Sequence, residues 1–265
     1  MSFAMATGVV HRNGTTYTGV IQPGWDIFGV ASGGYVMSIA ARAMSAVAEG
    51  RHLVAVNGHF TNPGRPGPVT IEVKPVKTGG AITTLRADVV GNDRVLLATT
   101  ASFVAPDRTS GPGEIIHASP PDLPPPEECV PAVPSSKGPL PPPFMGRVMV
   151  ALHPEDAVNL SGDRTGIARI RGWFRLPEEE APDALGTVLA SDAFPPAVFN
   201  TNLPLKWTPT LDLSVHVRDP QPQGWLRCQF RTRFVTGGLL EEDGDIWDEP
   251  GNLVAQSRQL ALVPR

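Results

Sequence analysis

The chain is poor in cysteine, in aromatic residues and in long apolar runs. It has two cysteines in 265 residues, Cys129 in a proline-rich stretch and Cys228 in strand-like sequence. Two are too few for a disulfide framework or a cysteine-built metal cluster, so both read as structural thiols. No run of about 18 apolar residues occurs, and the first twenty residues lack a basic stretch followed by an apolar core. A soluble, cytoplasmic protein is expected. Excess positive charge is absent as well: 22 Lys and Arg stand against 26 Asp and Glu, for a net charge of -4. Without a Lys/Arg cluster, neither nucleic acid nor a membrane surface is an expected partner. No G-x-S-x-G elbow and no Cys/His pairing stands out, so the sequence does not support a covalent intermediate on serine or cysteine.

Proline, in contrast, is abundant. Of 29 prolines, 13 lie between Ala105 and Phe144, a composition that forms an extended connector rather than a helix or central strand. The chain divides there into 1–104, the connector 105–144, and 145–265. Before the connector, "GGYVMSIAARAMSAVA" is proline-free and Ala/Met-rich, as a tightly packed central helix requires. Four strand-like segments follow: "LVAVNGHFTN", "VTIEVKPVK", "AITTLRADVV" and "RVLLATTASFV". The turn signals "PGRPGP", "TGG" and "GND" separate them.

After the connector this order returns with little sequence identity. "IARIRGWFRL" leads, a helix is expected at "ASDAFPPAVF", and "TLDLSVHVRD", "GWLRCQFRTRFV", "LLEEDGDIW" and "NLVAQSRQLALV" follow. His59 and His216, Pro63 and Pro220, Asp88 and Asp245, and Ser102 and Gln259 are each 157 positions apart, and "TGG" at 78 recurs at 236. An offset this constant points to two copies of one helix-plus-antiparallel-sheet unit. The fold class is therefore α+β, each half an antiparallel sheet wrapped around a central helix, with the two sheets joined edge to edge.

Several landmarks carry a resemblance: "GGYVMSIAARA", "NPG" after the next strand, "TTASF", "ASD" at the expected second helix, and "WDEPGNLVAQSRQL" at the end. In order and spacing the chain resembles the double-hotdog acyl-CoA thioesterase II family over nearly its whole length, apart from the connector. The resemblance implies a tandem double hotdog that hydrolyses a fatty acyl-CoA, with no metal and no cofactor. It also implies a water held by an Asp at the start of the second helix, a Thr on the next strand and a Gln on the last. These positions fall on Asp192, Thr210 and Gln259.

The chemistry suits those residue types. Thioester hydrolysis needs a water deprotonated or oriented by a carboxylate, neutral partners that fix its attack angle, and a donor for the developing oxyanion. Asp192 is the expected base, although direct attack through an acyl-aspartyl anhydride is equally compatible with the sequence. Thr210 and Gln259 can aim a water but cannot deprotonate it at neutral pH. Gly33 and Gly34, at a helix N-terminus, offer backbone N–H groups and close approach for substrate.

Each assignment has a competitor. Ser191 or Asp192 also fits a helix cap, with Pro195 and Pro196 tolerated in the first turn, and capping does not exclude catalysis. Strand alternation puts Thr210, Asp212, Ser214 and His216 on one face, away from the helix unless the strand is bulged, with Thr208 as the substitute. Gln256 and Ser257 compete with Gln259. His59 and His216 lack a carboxylate or cysteine at metal-ligand spacing. "NTNLPLKWTP", 200–209, is a candidate lid by position. Counterparts in the first copy are Gly34, Leu53 and Ser102, which offer no base, so one site per chain is expected. An enoyl-CoA hydratase would need a His a few residues after the Asp, where the chain reads "AFPPAVFNTN". A non-catalytic acyl-CoA binding protein remains the reading from another class. Any assembly would be a homo-oligomer of such fused pairs.

Overall fold

A computed structural model describes residues 1–109, 117–135, 141–177, 183–203, 207–222 and 224–263. Ten strands and two helices form two successive sets with the same order. The first set is β1 (Thr16–Ile21), α1 (Gly33–Val47), β2 (His52–Phe60), β3 (Gly67–Lys77), β4 (Ile82–Gly91) and β5 (Arg94–Val104). The second is β6 (Arg169–Arg175), α2 (Ala184–Ala190), β7 (Thr210–Val217), β8 (Leu226–Arg231), β9 (Leu239–Trp247) and β10 (Leu253–Leu262). Short edge strands complete a single 14-stranded sheet whose core runs β1-β3-β4-β5-β2-β7-β10-β9-β8-β6. One of them is Val130–Pro131, from the proline-rich connector, which pairs with Met149–Leu152 at the outer edge. Proline is tolerated at an edge because no donor is needed there.

The halves meet where β2 pairs antiparallel with β7, and Asn57 lies opposite Ser214. Those two residues are 157 positions apart, so each is the other's counterpart and a pseudo-twofold axis runs between them. Asn57 Nδ2 donates to Ser214 Oγ at 2.7 Å and to Asp212 Oδ2 at 2.9 Å, closing the joint with side chains.

Helix α1 follows from its composition. Ala40, Ala41, Ala43, Met37 and Met44 are fully buried, and small side chains let sheet and helix backbones approach closely. Ser32 caps its start, its Oγ accepting the Tyr35 N–H and satisfying one of the orphan donors of the first turn. The second helix departs from expectation. Asp192 does not open it: α2 ends at Ala190, and its N-cap is Asp183, whose Oδ1 accepts the Gly186 N–H at 2.7 Å. The prolines explain the difference, since Pro195 and Pro196 precede only a short 3-10 turn, Ala197–Asn200. Proline-free "ALGTVLA" is the part of the segment that can hydrogen-bond as a helix. The two helices lie against each other, and Ser38 Oγ donates to the Leu185 carbonyl at 3.2 Å. No helix among the described residues is long and apolar enough to cross a membrane.

Candidate active site

Asp192 lies just past Ser191, the C-cap of α2, and its backbone N–H closes onto the Leu189 carbonyl at 3.1 Å. Its side chain reaches the other half of the molecule. Oδ2 accepts the Gly34 N–H at 2.7 Å and the Ser32 hydroxyl at 3.1 Å. The carboxylate therefore caps a helix after all, but the helix is α1, 158 residues earlier. Burial raises the Asp192 pKa above its ordinary value, while hydrogen bonding from Gly34, Ser32 and Gly33 pulls it back. A helix N-terminus favours the anion in the same direction.

Both glycines are tightly enclosed at this contact. A Cβ on Gly34 would stand 2.9 Å from Asp192 Cβ and 3.2 Å from the Val188 carbonyl oxygen, and one on Gly33 would meet Phe60 at 2.8 Å. The close approach is taken up by Phe60 at Gly33 and by the α2–Asp192 segment at Gly34, whose amide donates to Asp192.

Thr210 and Gln259 come together in the second half. Gln259 Nε2 donates to Thr210 Oγ1 at 2.5 Å. Simple alternation would turn Thr210 outward, but the register of β7 slips between Thr210 and Asp212. This bulge aligns Thr210 with Ala261 and Leu213 with Gln259, placing all four on the helix-facing side, since directly opposed residues share a face. Asp212, Ser214 and His216 keep the outer face. His59 lies there too, 3.3 Å from Asp212, as does Gln256, which accepts from Arg218. Ser257 is buried opposite Val215, and Thr208 is buried just before β7.

A cavity of about 400 Å³ opens beside Asp192. Its walls are largely apolar: Ile27, Phe28, Phe144, Met145, Phe194 and Phe199 contribute, Leu203 and Trp207 bring the expected lid segment to its edge, and Arg164 adds a cation to the lining. Residues 204–206 of that segment lie outside the described residues. Asp192 is among the lining residues, whereas Thr210, Gln259, Gly33 and Gly34 are not. The link between Asp192 and the Thr210–Gln259 pair is a residue the sequence reading passed over. Glu242 lies directly opposite Gln259 on β9 and close enough to Asp192 to feel its charge. Alternation held the signal, because Glu242 shares its face with Leu240 and Ile246, both buried. Ser32 was also missed, though a serine before "GG" at a helix start is a plain capping signal.

A second polar cluster, His153, Glu155 and Asp156, has metal-ligand residue types. Arg171 fills it, with Nε 2.7 Å from Asp156 and a terminal nitrogen 2.8 Å from Glu155, and Arg169 stands 3.5 Å from Asp156 and 3.7 Å from Glu155, so the two carboxylates are matched by two guanidinium groups.

Taken together, these elements form two hotdog units fused in one chain, with the candidate site where they touch. Residues 21–104 match the model of the acyl-CoA thioesterase N-terminal domain and 126–263 that of the C-terminal domain. The chain belongs to this acyl-CoA thioesterase family. It is 32% identical to a protein from Thermobifida fusca assigned as a thioesterase II, with a TM-score of 0.88 over 100% of this chain and 98% of that one. A hot dog protein of unknown function from Alicyclobacillus acidocaldarius shares the fold at 22% identity and a TM-score of 0.86, covering 99% and 98% of the two chains. Uncharacterised proteins of Mycobacterium bovis and Mycobacterium tuberculosis are 36% identical over 95 residues, 36% of this chain. That match spans 32% of those curated relatives' length.

Proposed function

We propose that the protein hydrolyses a fatty acyl-CoA to the free acid and CoA, using one site per chain centred on Asp192. The carrying observation is a carboxylate fixed at the N-terminus of α1 and facing an apolar cavity of about 400 Å³. The acyl chain would occupy the cavity, placing the thioester carbonyl near Asp192. With Oδ2 engaged by Gly34 and Ser32, Oδ1 is the oxygen left to hold a water. That water attacks the carbonyl carbon as its proton passes to Asp192, and collapse of the tetrahedral intermediate expels the CoA thiolate, which takes a proton to leave as thiol. Holding the water against the carbonyl is the larger part of the task, and a positioned acid or base contributes typically about 10²–10⁴-fold. Thr210 and Gln259, joined and turned to the same face, are assigned to orienting the water.

The family match supports hydrolysis over mere binding, and none of the described residues lining the cavity is a histidine, the residue a hydratase would add. The proposed setting is lipid metabolism in the cytoplasm. A thiol-trapping assay across acyl-CoAs of increasing chain length tests the reading. Thiol release dependent on Asp192 supports it, and tight binding without release would make the protein a carrier.

A further inference from the structure

The loop that bears Asp192 is fastened at one end by helix α2, through the bonds from Asp192 N–H to Leu189 and Ala193 N–H to Ala190. Every residue from Asp192 to Pro196 lines the apolar cavity. Pro195 and Pro196 have no N–H, so the first backbone donor after Phe194 is Ala197. That donor goes to Glu242, whose Oε2 accepts it at 2.5 Å. Glu242 is 8% exposed and faces Gln259 across the β9–β10 ladder. We propose that Glu242 is a positioning residue for hydrolysis: by taking the Ala197 N–H it fixes the loop that carries Asp192 against the strand that carries Gln259. The inference rests on the thioesterase reading and gives Glu242 no contact with substrate.

A carboxylate here is costly, which argues that it has work to do. Burying a charge without a cationic partner is unfavourable, and an apolar side chain would fill this inward position at less cost. What the carboxylate supplies is a charge-assisted bond, roughly twice as strong as a neutral one. The groups facing Glu242 do not neutralise it. Gln259 of β10 and Thr210 of β7 are neutral, and Asp192 on the loop is acidic. Its own strand adds Glu241 and Asp243 on the opposite face, where Arg233 binds both and Arg258 binds Asp243. Burial, with the charges of Asp192, Glu241 and Asp243, pushes its pKa up to about 7. Ionisation near neutrality therefore tightens the fastening, so the rate rises with pH across that range.

Two substitutions separate positioning from packing, measured as thiol release from about pH 5.5 to about pH 9 on the whole chain. E242A removes the acceptor and should lower kcat about a hundredfold, the scale of a displacement of about 1 Å, with KM within about threefold. E242Q keeps an oxygen for the Ala197 N–H but cannot titrate. It should recover at least about tenfold of that loss and should lose the ionisation near neutrality from the acid limb of kcat/KM. A parent-like acid limb in E242Q, or a parent-like kcat in E242A, overturns the proposal. If E242A does not fold, the E242Q profile alone decides. Should the parent release no thiol from any acyl-CoA, the thioesterase reading fails, and the fastening is read from amide exchange at Ala197. Exchange at least about tenfold faster at acidic pH than in E242Q supports the fastening, after correction for intrinsic rates, and equal rates refute it.

Discussion

Gly34, in the first turn of α1, and Asp192, just past the end of α2, come from different halves of the chain and are in contact, the Gly34 N–H donating to Asp192 Oδ2 at 2.7 Å. The two helices lie with the start of one beside the end of the other, Gly34 near Leu189 and Ser38 near Leu185. One half supplies the bare backbone of a helix N-terminus and the other the carboxylate it stabilises. The site thus requires both halves, although its carboxylate comes from one.

Replacing Gly34 with alanine tests that contact. The added Cβ would meet Asp192 Cβ at 2.9 Å, Val188 O at 3.2 Å and Leu189 Cα at 3.3 Å, mostly backbone or backbone-anchored atoms with little freedom to move. Alanine gains up to about 1 kcal/mol in a helix interior, and less in a first turn. Overpacking costs about 1–3 kcal/mol. The clash should win, with G34A less stable by about 1–2 kcal/mol in urea titration and kcat reduced more than KM changes.

Asp192→Asn preserves an oxygen for the Gly34 N–H but not the base. Thiol release should fall by at least about a hundredfold, with the melting temperature and KM near those of the parent. Retention of half the parent kcat is the outcome expected of two equal sites, and it would mean that the first half owns a second one.

What the sequence disclosed and what it concealed divide along the range of the interactions. The strands were legible because Val, Leu and Ile alternate with polar residues between Gly- and Pro-rich turns, and the constant offset from His59 to His216 anticipated the edge-to-edge pairing of β2 with β7. Helix α1 was legible from "YVMSIAARAM". The second helix was misplaced because Asp183 and Asp192 are both credible caps nine residues apart, and only the contact of Asp192 with Gly34 distinguishes them. Thr210 faces inward because of a one-residue bulge, which leaves no mark in an alternating pattern. Glu242 looked like one more acid in "LLEEDGDIW", and only its bond to Ala197 sets it apart.

Gln259→Leu and Thr210→Val should each lower kcat less than D192N does, by up to about tenfold, the scale of one neutral hydrogen bond. Either change breaks the 2.5 Å hydrogen bond between them, so the double variant should be little worse than the more damaging single one. A double-mutant cycle on kcat checks this, and full additivity would show that the two act independently.

At the edge of the cavity Phe28 and Trp207 meet edge to face, ring centroids 5.3 Å apart at 90°. Phe28 has a φ of +53°, a conformation bulky residues rarely adopt, and both rings remain substantially exposed. Such a pair is worth about 0.5–1.5 kcal/mol. If it shelters the acyl chain, Trp207→Ala should raise KM about twofold to tenfold for long-chain substrates while leaving kcat near the parent value. An equal rise for short-chain and long-chain acyl-CoA would place the pair at the CoA end instead.

Ser32 gives the pH dependence a definite sign. Its hydroxyl has one proton, which goes to Asp192 Oδ2, while its oxygen accepts the Tyr35 N–H. Burial already raises the Asp192 pKa, and the Ser32 bond opposes that rise. Ser32→Ala should therefore raise it further, so that a larger share of Asp192 is protonated and inactive at mildly acidic pH. The acid limb of kcat/KM moves to higher pH, and the deficit relative to the parent shrinks as pH increases and Asp192 ionises fully. Loss of the α1 cap should separately cost about 1 kcal/mol of stability at every pH. Ser32→Thr restores the hydroxyl and should return the acid limb toward its original position, which a purely structural effect of the cap would not require. The pH profiles of S32A and S32T, measured beside their unfolding curves, distinguish the two contributions. A rate deficit in S32A that stays constant across the whole pH range would mean that Ser32 holds the helix and leaves the ionisation of Asp192 untouched.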